Sequence, residues 1–378
     1  MENFFIESGH ASVNKHDESL CGDSYYITKD GGKLTVVLSD GLGSGVKANI
    51  LSTLMSRKLP VDECIETVAS TLPMCRERKL AYSTFTMLQV ESTQARLVQY
   101  DNPRAILLRN GKNVDYNTTV RFIGEKEIHE STLYPRENDL LVLMTDGITN
   151  AGIGKVMQDG WPRKDVIECL ERWYTPELSP QHLAAMLVNA ALSLCLDSPD
   201  DDITALVFKM RRRQAVNVII GPPADPKDDE RVLKLFFAKE GRHVVCGGTT
   251  AHTVSRYLNK PIVPIADSGT ETVPAIAAIE GVDLVTEGVI TLQQVADLAE
   301  KYASNNRISL SISEKTDGVS RLASLLFEQA TDITIFHGQA VNHAHDSLDI
   351  DFDSKALLVK RLAKSLTEMG KNVKVSRC

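Results

Sequence analysis

Two strings of the 378-residue chain end in the same way. Val36-Val37-Leu38-Ser39-Asp40-Gly41 and Val142-Leu143-Met144-Thr145-Asp146-Gly147 each run from an apolar strand through a hydroxyl residue to Asp-Gly. A strand buried to its last residue delivers that Asp to the rim of a sheet. The Gly lets the backbone turn sharply and brings its carbonyl close to whatever the Asp binds. A third string, Pro199-Asp200-Asp201-Asp202-Ile203-Thr204, runs in reverse, acids first and strand after. A fourth, Cys21-Gly22-Asp23-Ser24-Tyr25-Tyr26, opens a hairpin leading into the Asp40 strand. Converging carboxylates repel one another unless a cation lies among them. Oxygen ligands without matching His or Cys suit Mg²⁺ or Mn²⁺ rather than zinc. Two such ions close together share a water, lower its pKa and direct it at phosphorus. Either Asp-Gly string alone is an ordinary turn; two matched strings and an Asp triplet before a third strand favour a metal site.

The elements that would carry these acids are legible in outline. Strands are predicted at 33–39, 84–90, 95–100, 105–108, 139–145 and 203–208 from β-branched and apolar runs between turn signals. Helices are predicted after Gly43-Ser44-Gly45, where Val46, Ile50, Leu51, Leu54 and Met55 fall at helical spacing, over 163–173, and after Ser179-Pro180. Hairpins around central helices indicate an α+β unit over 1–210. The remainder, 214–378, alternates strand and helix: strands at 216–220, 243–246, 283–286, 333–336 and 373–375, helices at 228–239, 249–258, 292–302, 319–329 and 354–369. That order implies a three-layer α/β unit with a mostly parallel sheet. Arg211-Arg212-Arg213 between the two reads as a solvated end of a short exposed linker. Leu357, Leu358, Leu362 and Leu366 read as a core-facing stripe.

Composition narrows the function classes. With 43% apolar and 24% charged residues the chain resembles ordinary globular proteins. Residues 1–210 hold 21 of the 42 basic and 29 of the 50 acidic side chains, so the whole net charge of −8 lies there and 211–378, with the other 21 basic and 21 acidic side chains, is neutral. Such an excess disfavours a nucleic-acid surface. The first residues lack a basic start and long apolar core, and no apolar run is long enough for a membrane span. The seven cysteines are scattered with no CxxC pair, which points to reduced thiols and a cytoplasmic protein without nucleic-acid or membrane partners.

The first ~209 residues resemble the PP2C (PPM) metal-dependent serine/threonine phosphatases, in particular the bacterial SpoIIE-like branch. The resemblance rests on Gly22-Asp23-Ser24-Tyr25, Asp40-Gly41-Leu42-Gly43-Ser44-Gly45, Thr145-Asp146-Gly147-Ile148-Thr149-Asn150 and Asp201-Asp202-Ile203-Thr204, with a looser fit at Tyr82-Ser83-Thr84-Phe85 and Asn102-Pro103-Arg104-Ala105. It implies an α/β/β/α sandwich with two Mn²⁺ or Mg²⁺ ions at one edge. By motif position Asp40 would bridge both ions and the Gly41 carbonyl would help bind one. Asp146 and Asp201 would hold the other, and Asp23 would support the site directly or through water. Asp40, Asp146 and Asp201 are the expected catalytic set. A metal-bridged hydroxide would hydrolyse phosphoserine or phosphothreonine of a phosphoprotein in bacterial signalling, with a partner-switching regulator as the expected substrate class. Many relatives place a proton-donating His where Leu42 stands here, a part that a metal-held water would take. The phosphate-clamping Arg of those relatives is not visible near the N-terminus, where Lys15 or His16 would supply positive charge. The alternatives are a signalling adaptor whose phosphatase fold no longer turns over, and a C-terminal unit that is itself an enzyme or a small-molecule receptor.

No family is apparent in the second half. Val244-Val245-Cys246-Gly247-Gly248-Thr249-Thr250 is a strand, a Gly pair and a helix start, readable as a tight turn or as an anion site at free helix N–H groups. It has neither a GxGxxG nor a Gly-Lys-Ser/Thr fingerprint. His337, His343 and His345 cluster after a strand, as a polar loop or a metal site. Gly247, Gly248, Thr249, His343 and His345 are the candidate ligand-binding residues, because the carboxyl edge of a parallel sheet is where such sheets bind ligands.

Overall fold

In a computed structural model the described residues are 4–30, 33–41, 66, 84–91, 93–266, 268–269, 273–304, 317–340 and 352–378. Contacts divide the chain into two compact units, Met1–Arg212 and Arg213–Cys378.

The N-terminal unit is built from β1 (Phe4–Val13), β2 (Ser24–Asp30), β3 (Lys33–Asp40), β4 (Thr84–Glu91), β5 (Gln94–Tyr100), β6 (Ile106–Arg109), β7 (Lys112–Asn113), β8 (Thr119–Ile123), β9 (Lys126–Leu133), β10 (Leu140–Met144) and β11 (Ile203–Arg212). A one-turn helix α1 (Asp146–Thr149), then α2 (Arg163–Trp173) and α3 (Pro180–Leu194), lie between β10 and β11. One antiparallel sheet has the order β1-β11-β10-β6-β7 and the other β2-β3-β4-β5-β9-β8. Leu34, Val36, Leu38, Leu88 and Leu97 of one sheet meet Leu107, Leu141, Leu143, Leu206 and Phe208 of the other in a buried layer. The other face of the first sheet buries Ile106, Val142, Ala205 and Val207 against Val166 and Leu170 of α2 and Leu183, Leu187 and Val188 of α3. Helix α3 starts as its sequence requires, with Ser179 Oγ accepting the His182 N–H and Pro180 at the first position. The helix expected from Val46 to Met55, with Leu42 and Gly43-Ser44-Gly45 before it, lies outside the described residues.

The C-terminal unit comprises β12 (Ala215–Ile220), β13 (Arg242–Cys246), β14 (Val263–Pro264), β15 (Ala277–Ala278), β16 (Leu284–Thr286), β17 (Asp332–His337) and β18 (Asn372–Arg377). Its helices are α4 (Asp229–Phe237), α5 (Gly248–Leu258), α6 (Val289–Ser304), α7 (Gly318–Ala323) and α8 (Phe352–Glu368). The sheet order is β14-β15-β16-β13-β12-β17-β18, parallel from β16 to β18 with an antiparallel edge at β14 and β15. One face packs on α4 and α5 through Val232, Phe236 and Val254, the other on α6, α7 and α8 through Val295, Leu322 and Leu362. This is the expected three-layer arrangement. The helix expected over 319–329 is α-helical only to Ala323 and continues as a π-helical turn over Ser324–Gln329. Among the described residues no helix is long and apolar enough to cross a membrane.

Two details differ from the sequence reading. Leu357 is exposed, and only Leu358, Leu362 and Leu366 of its stripe are buried. Arg211 is not solvated: β11 runs on to Arg212, and Arg211 forms a 2.8 Å ion pair with the buried Glu7 of β1. Arg212 pairs with Glu137 and Arg213 with Asp332, so the basic cluster is spent on ion pairs.

Helix α3 sits close on β1. Gln181 accepts the His10 N–H and donates back to the His10 carbonyl, at 3.0 and 2.9 Å. A Cβ on Gly9 would stand 2.1 Å from the Gln181 backbone nitrogen. Backbone cannot swing aside as a side chain can, so Gly9→Ala should destabilise the N-terminal unit by about 1–3 kcal/mol. A lowered urea midpoint for that unit checks this, and an unchanged midpoint would contradict the contact.

Candidate active site

The four sequence-derived aspartates gather at one edge of the two stacked sheets. Asp40 is the last residue of β3, and Asp146 follows β10 as the first residue of α1. Asp23 immediately precedes β2, and Asp201 stands two residues before β11. Asp40 and Asp146 lie within hydrogen-bonding reach, and the charges of Asp23 and Asp201 also act on Asp40. Gly41 turns the chain with φ 120°, a conformation that suits glycine. Gly147 serves another purpose: a Cβ there would lie 2.0 Å from the Asp202 carbonyl oxygen, so the glycine lets the acidic turn lie against α1.

Hydroxyls fix this edge. Thr145 and Thr204 bond reciprocally: the Thr145 N–H reaches the Thr204 carbonyl and the Thr204 N–H reaches Thr145 Oγ1, both at 3.1 Å. Thr145 Oγ1 then donates to Asp23 Oδ2 at 2.8 Å. Ser12 of β1 bonds Thr204 Oγ1 at 2.8 Å. The acidic triplet divides its labour. Asp200 pairs with Lys155 at 2.9 Å. Asp202 is buried and accepts the N–H groups of Lys15 and Gly22 at 2.9 and 2.7 Å, which pins the loop that carries Asp23. Asp201 accepts its neighbour's N–H and keeps its carboxylate toward Asp146.

The electrostatics follow from burial and crowding. Asp23 is pushed up to about 7, first by loss of water; bonds from Thr204 and Thr145 oppose the rise, and the charges of Asp202 and Asp201 add to it. Asp40 is pushed up to about 8 by burial, then by Asp23, Asp146 and Asp201. Asp201 is raised by burial and by Asp146, with Lys15 opposing. Burial raises the nearby Cys21 thiol to about 11, so it offers no thiolate at neutral pH. Asp23 Oδ1 and Asp146 Oδ1 are buried with no hydrogen-bond partner. Among the described residues no three acidic, His or Cys side chains are drawn together tightly enough to form a finished metal cluster.

Residues that the motifs did not flag line a groove of about 690 Å³ on which Asp146 opens, among them Tyr100, Lys126, His129 and Arg163; Asn102, of the looser Asn102-Pro103-Arg104-Ala105 match, lines it too. Arg163 is held by the carbonyls of Arg104 and Ala105 at 2.9 and 3.0 Å. Asn102 bonds the hydroxyls of Thr84 and Thr86. A lone Arg at a helix start and a Lys in a polar strand carry no motif, so sequence spacing gave no signal for them. Lys15 does reach the site, through its effect on Asp201, whereas His16 pairs with Asp17 at 3.5 Å. In the other unit Gly247, Gly248 and Thr249 line a separate cavity; His343 and His345 lie outside the described residues.

A carboxyl group whose proton is held more tightly in the folded state stabilises the fold at low pH, and that contribution is lost as pH climbs to the raised value. For Asp40 and Asp23 the window runs from about 4, the ordinary aspartate value, to about 8 and 7. Metal-free protein should therefore lose stability relative to Asp40→Asn as pH rises through that window. Urea unfolding of both in chelator, at several pH values, measures the difference; parallel curves would contradict the crowding.

Residues 30–211 match the family described as Stage II sporulation protein E (SpoIIE). The Stage II sporulation protein E of Priestia megaterium is 21% identical over 222 residues, 55% of this chain; the chain spans only 37% of that protein's length. The phosphoserine phosphatase RsbX of Bacillus subtilis (strain 168) is 24% identical over 181 residues, 46% of this chain and 90% of RsbX. The solved phosphatase domain of Bacillus subtilis SpoIIE aligns with a TM-score of 0.45 at 19% identity, covering 56% of this chain and 95% of that one. The match to the SpoIIE family lies within the N-terminal unit and ends at Arg211, leaving the C-terminal unit outside it.

Proposed function

We propose that the N-terminal unit is a Mn²⁺- or Mg²⁺-dependent phosphoprotein phosphatase that hydrolyses phosphoserine or phosphothreonine. Its substrate would be a signalling protein of the bacterial cytoplasm, of the partner-switching class. The observation that carries this reading is the convergence of Asp23, Asp40, Asp146 and Asp201 from four strand ends, with two buried carboxylate oxygens left unbonded. Hard dications suit that donor set: it is all oxygen, and the nearest thiol stays protonated. Asp40, Asp146 and Asp201, with Asp23 and the Gly41 carbonyl, would hold two ions. The ions would supply positive charge against phosphoryl oxygens and make a water more acidic.

The chain's own residues do the positioning. Thr145 and Thr204 hold Asp23 toward Asp40, and Asn150 holds Asp146 through a 3.2 Å bond to its Oδ2. Lys15 brings positive charge beside Asp201. The groove beside Asp146 would receive the polypeptide around the phosphorylated residue, with Asn102 and Arg163 fixed in its wall. All four aspartates are in place, which weighs against an adaptor that has lost turnover. The name of RsbX, a phosphoserine phosphatase that aligns over nearly its whole length, supports the choice of substrate class.

Asp40→Asn should lower Mn²⁺-dependent hydrolysis of an aryl phosphate or a phosphoserine peptide by more than about a hundredfold, beyond what losing a group that only orients a ligand costs. Asp202→Asn, which loosens the loop to Lys15 and Gly22, should lower the unfolding midpoint as well. Normal turnover by Asp40→Asn would sink the metal assignment.

A further inference from the structure

The C-terminal sheet reverses its winding between β12 and β17. The chain moves outward through β13 and β16 on one side, then crosses to β17 and β18 on the other. Open α/β sheets take ligands outside the carboxyl ends of their strands at such a reversal. A cavity of about 360 Å³ lies there, walled by the ends of β12 and β13, the turn after β16, and Lys355 of α8.

Several features of this cavity have no use within the protein. Helix α5 begins against it with Gly247 as its cap, at φ 114° and with no side chain to accept a first-turn N–H. Helix α6, which also begins there, is capped differently: the Glu287 carboxylate accepts the Ile290 and Thr291 N–H groups at 3.1 and 3.4 Å. One helix start is therefore satisfied by its own acid and the other is not. Gly248 stands at the first position of α5, where alanine would be favoured by roughly 0.5–1 kcal/mol. A Cβ there would meet nothing within 4 Å, so the packing leaves open space that a side chain would fill. Lys355 is half-buried on the wall and forms no ion pair among the described residues. Burial lowers its pKa. Ile220, Pro222, Val289 and Leu292 make an apolar stretch of the wall, beside Thr249, Thr250 and the Glu287 that caps α6.

Uncapped N–H groups at a helix start and an ammonium without an ion pair among the described residues favour an anion. The apolar wall favours an organic body attached to it, and the volume is at the small end of the range typical for such sites. We propose that this cavity binds a small phosphorylated molecule of mononucleotide size. Its phosphoryl group would be held by the first N–H groups of α5 and by Lys355, and its organic part would lie on Ile220, Pro222, Val289 and Leu292. This site is separate from the aspartate cluster and does not rest on the phosphatase reading.

The test uses the full chain in chelator, so that the N-terminal acids hold no metal, with inorganic phosphate, AMP and adenosine as calorimetric probes. AMP should bind, phosphate should compete with it, and adenosine should not bind. Lys355→Met and Gly248→Leu should each weaken AMP at least about tenfold, while Asp40→Asn leaves it unchanged. Gly248→Leu projects into open space and should fold; Lys355→Met tests the same site without touching the backbone. Failure of both phosphate and AMP to bind would overturn the proposal. So would AMP affinity insensitive to both C-terminal variants, or affinity lost only in Asp40→Asn.

Discussion

Repulsion among carboxylates is the constraint around which the N-terminal unit is organised. Each acid that leaves water at this edge loses solvation, and each neighbour of the same sign adds to the cost. Only a stiff frame keeps such groups together, and the frame here is a cross-link of strand ends. The reciprocal Thr145–Thr204 bonds tie β10 to β11, Ser12 ties β1 to the same point, and the Thr145 hydroxyl reaches across to Asp23 of the other sheet. The layer of Leu38, Leu143 and Leu206 behind them keeps the sheets from sliding. The acids are thus held on cross-linked strand ends, which is what a preorganised site requires.

Sheet type explains the form the motifs take. In antiparallel sheets one edge collects the ends of some strands and the beginnings of others. Asp40 ends β3 and Asp146 follows β10, while Asp23 and Asp201 precede β2 and β11. That is why two strings place the strand before the acid and two place it after. The parallel sheet of the C-terminal unit obeys the opposite rule. All its carboxyl ends share one edge, so the turns after β12, β13, β16 and β17 meet there. They meet closely: a Cβ on Gly338 would come 2.2 Å from the Gly221 carbonyl oxygen, and one on Gly288 3.2 Å from the Gly247 Cα. Glycines at this edge bring backbone to backbone and leave the first turn of α5 facing a cavity.

What was legible in the sequence follows the same physics. Strands buried mostly on both faces, such as β3, β10, β12, β13 and β17, are near-continuous apolar runs and could be read directly. Helices with one buried stripe, such as α2, were equally plain. β1 was not read, because its inward residues alternate with polar ones and include Gly9 and a Glu7 that is buried in an ion pair with Arg211. β8 and β9 escaped for a similar reason: Lys126, Glu127, His129 and Glu130 are unlike a strand until β8 and β5 pair with them. Arg211 looked like a solvated linker end because its partner lies 204 residues away. Local pattern gives elements; the pairing that buries an ionic residue is set by topology.

The acidic triplet shows where reading residue types stops short. Successive side chains of an extended segment point to opposite sides, so adjacent acids cannot all serve one site. Nothing in Asp200-Asp201-Asp202 says which faces the cluster, because that depends on how β11 enters its sheet. The structure turns Asp201 to the other carboxylates and buries Asp202 under the Lys15–Gly22 loop. Asp202 stays with that loop, yet its two bonds fix the segment that delivers both Asp23 and Lys15 to the cluster. The close contact of its carbonyl with Gly147 also sets the distance between Asp201 and Asp146. The spacing of the site therefore depends on a neighbour of the site residue, one whose own carboxylate is spent on backbone N–H groups.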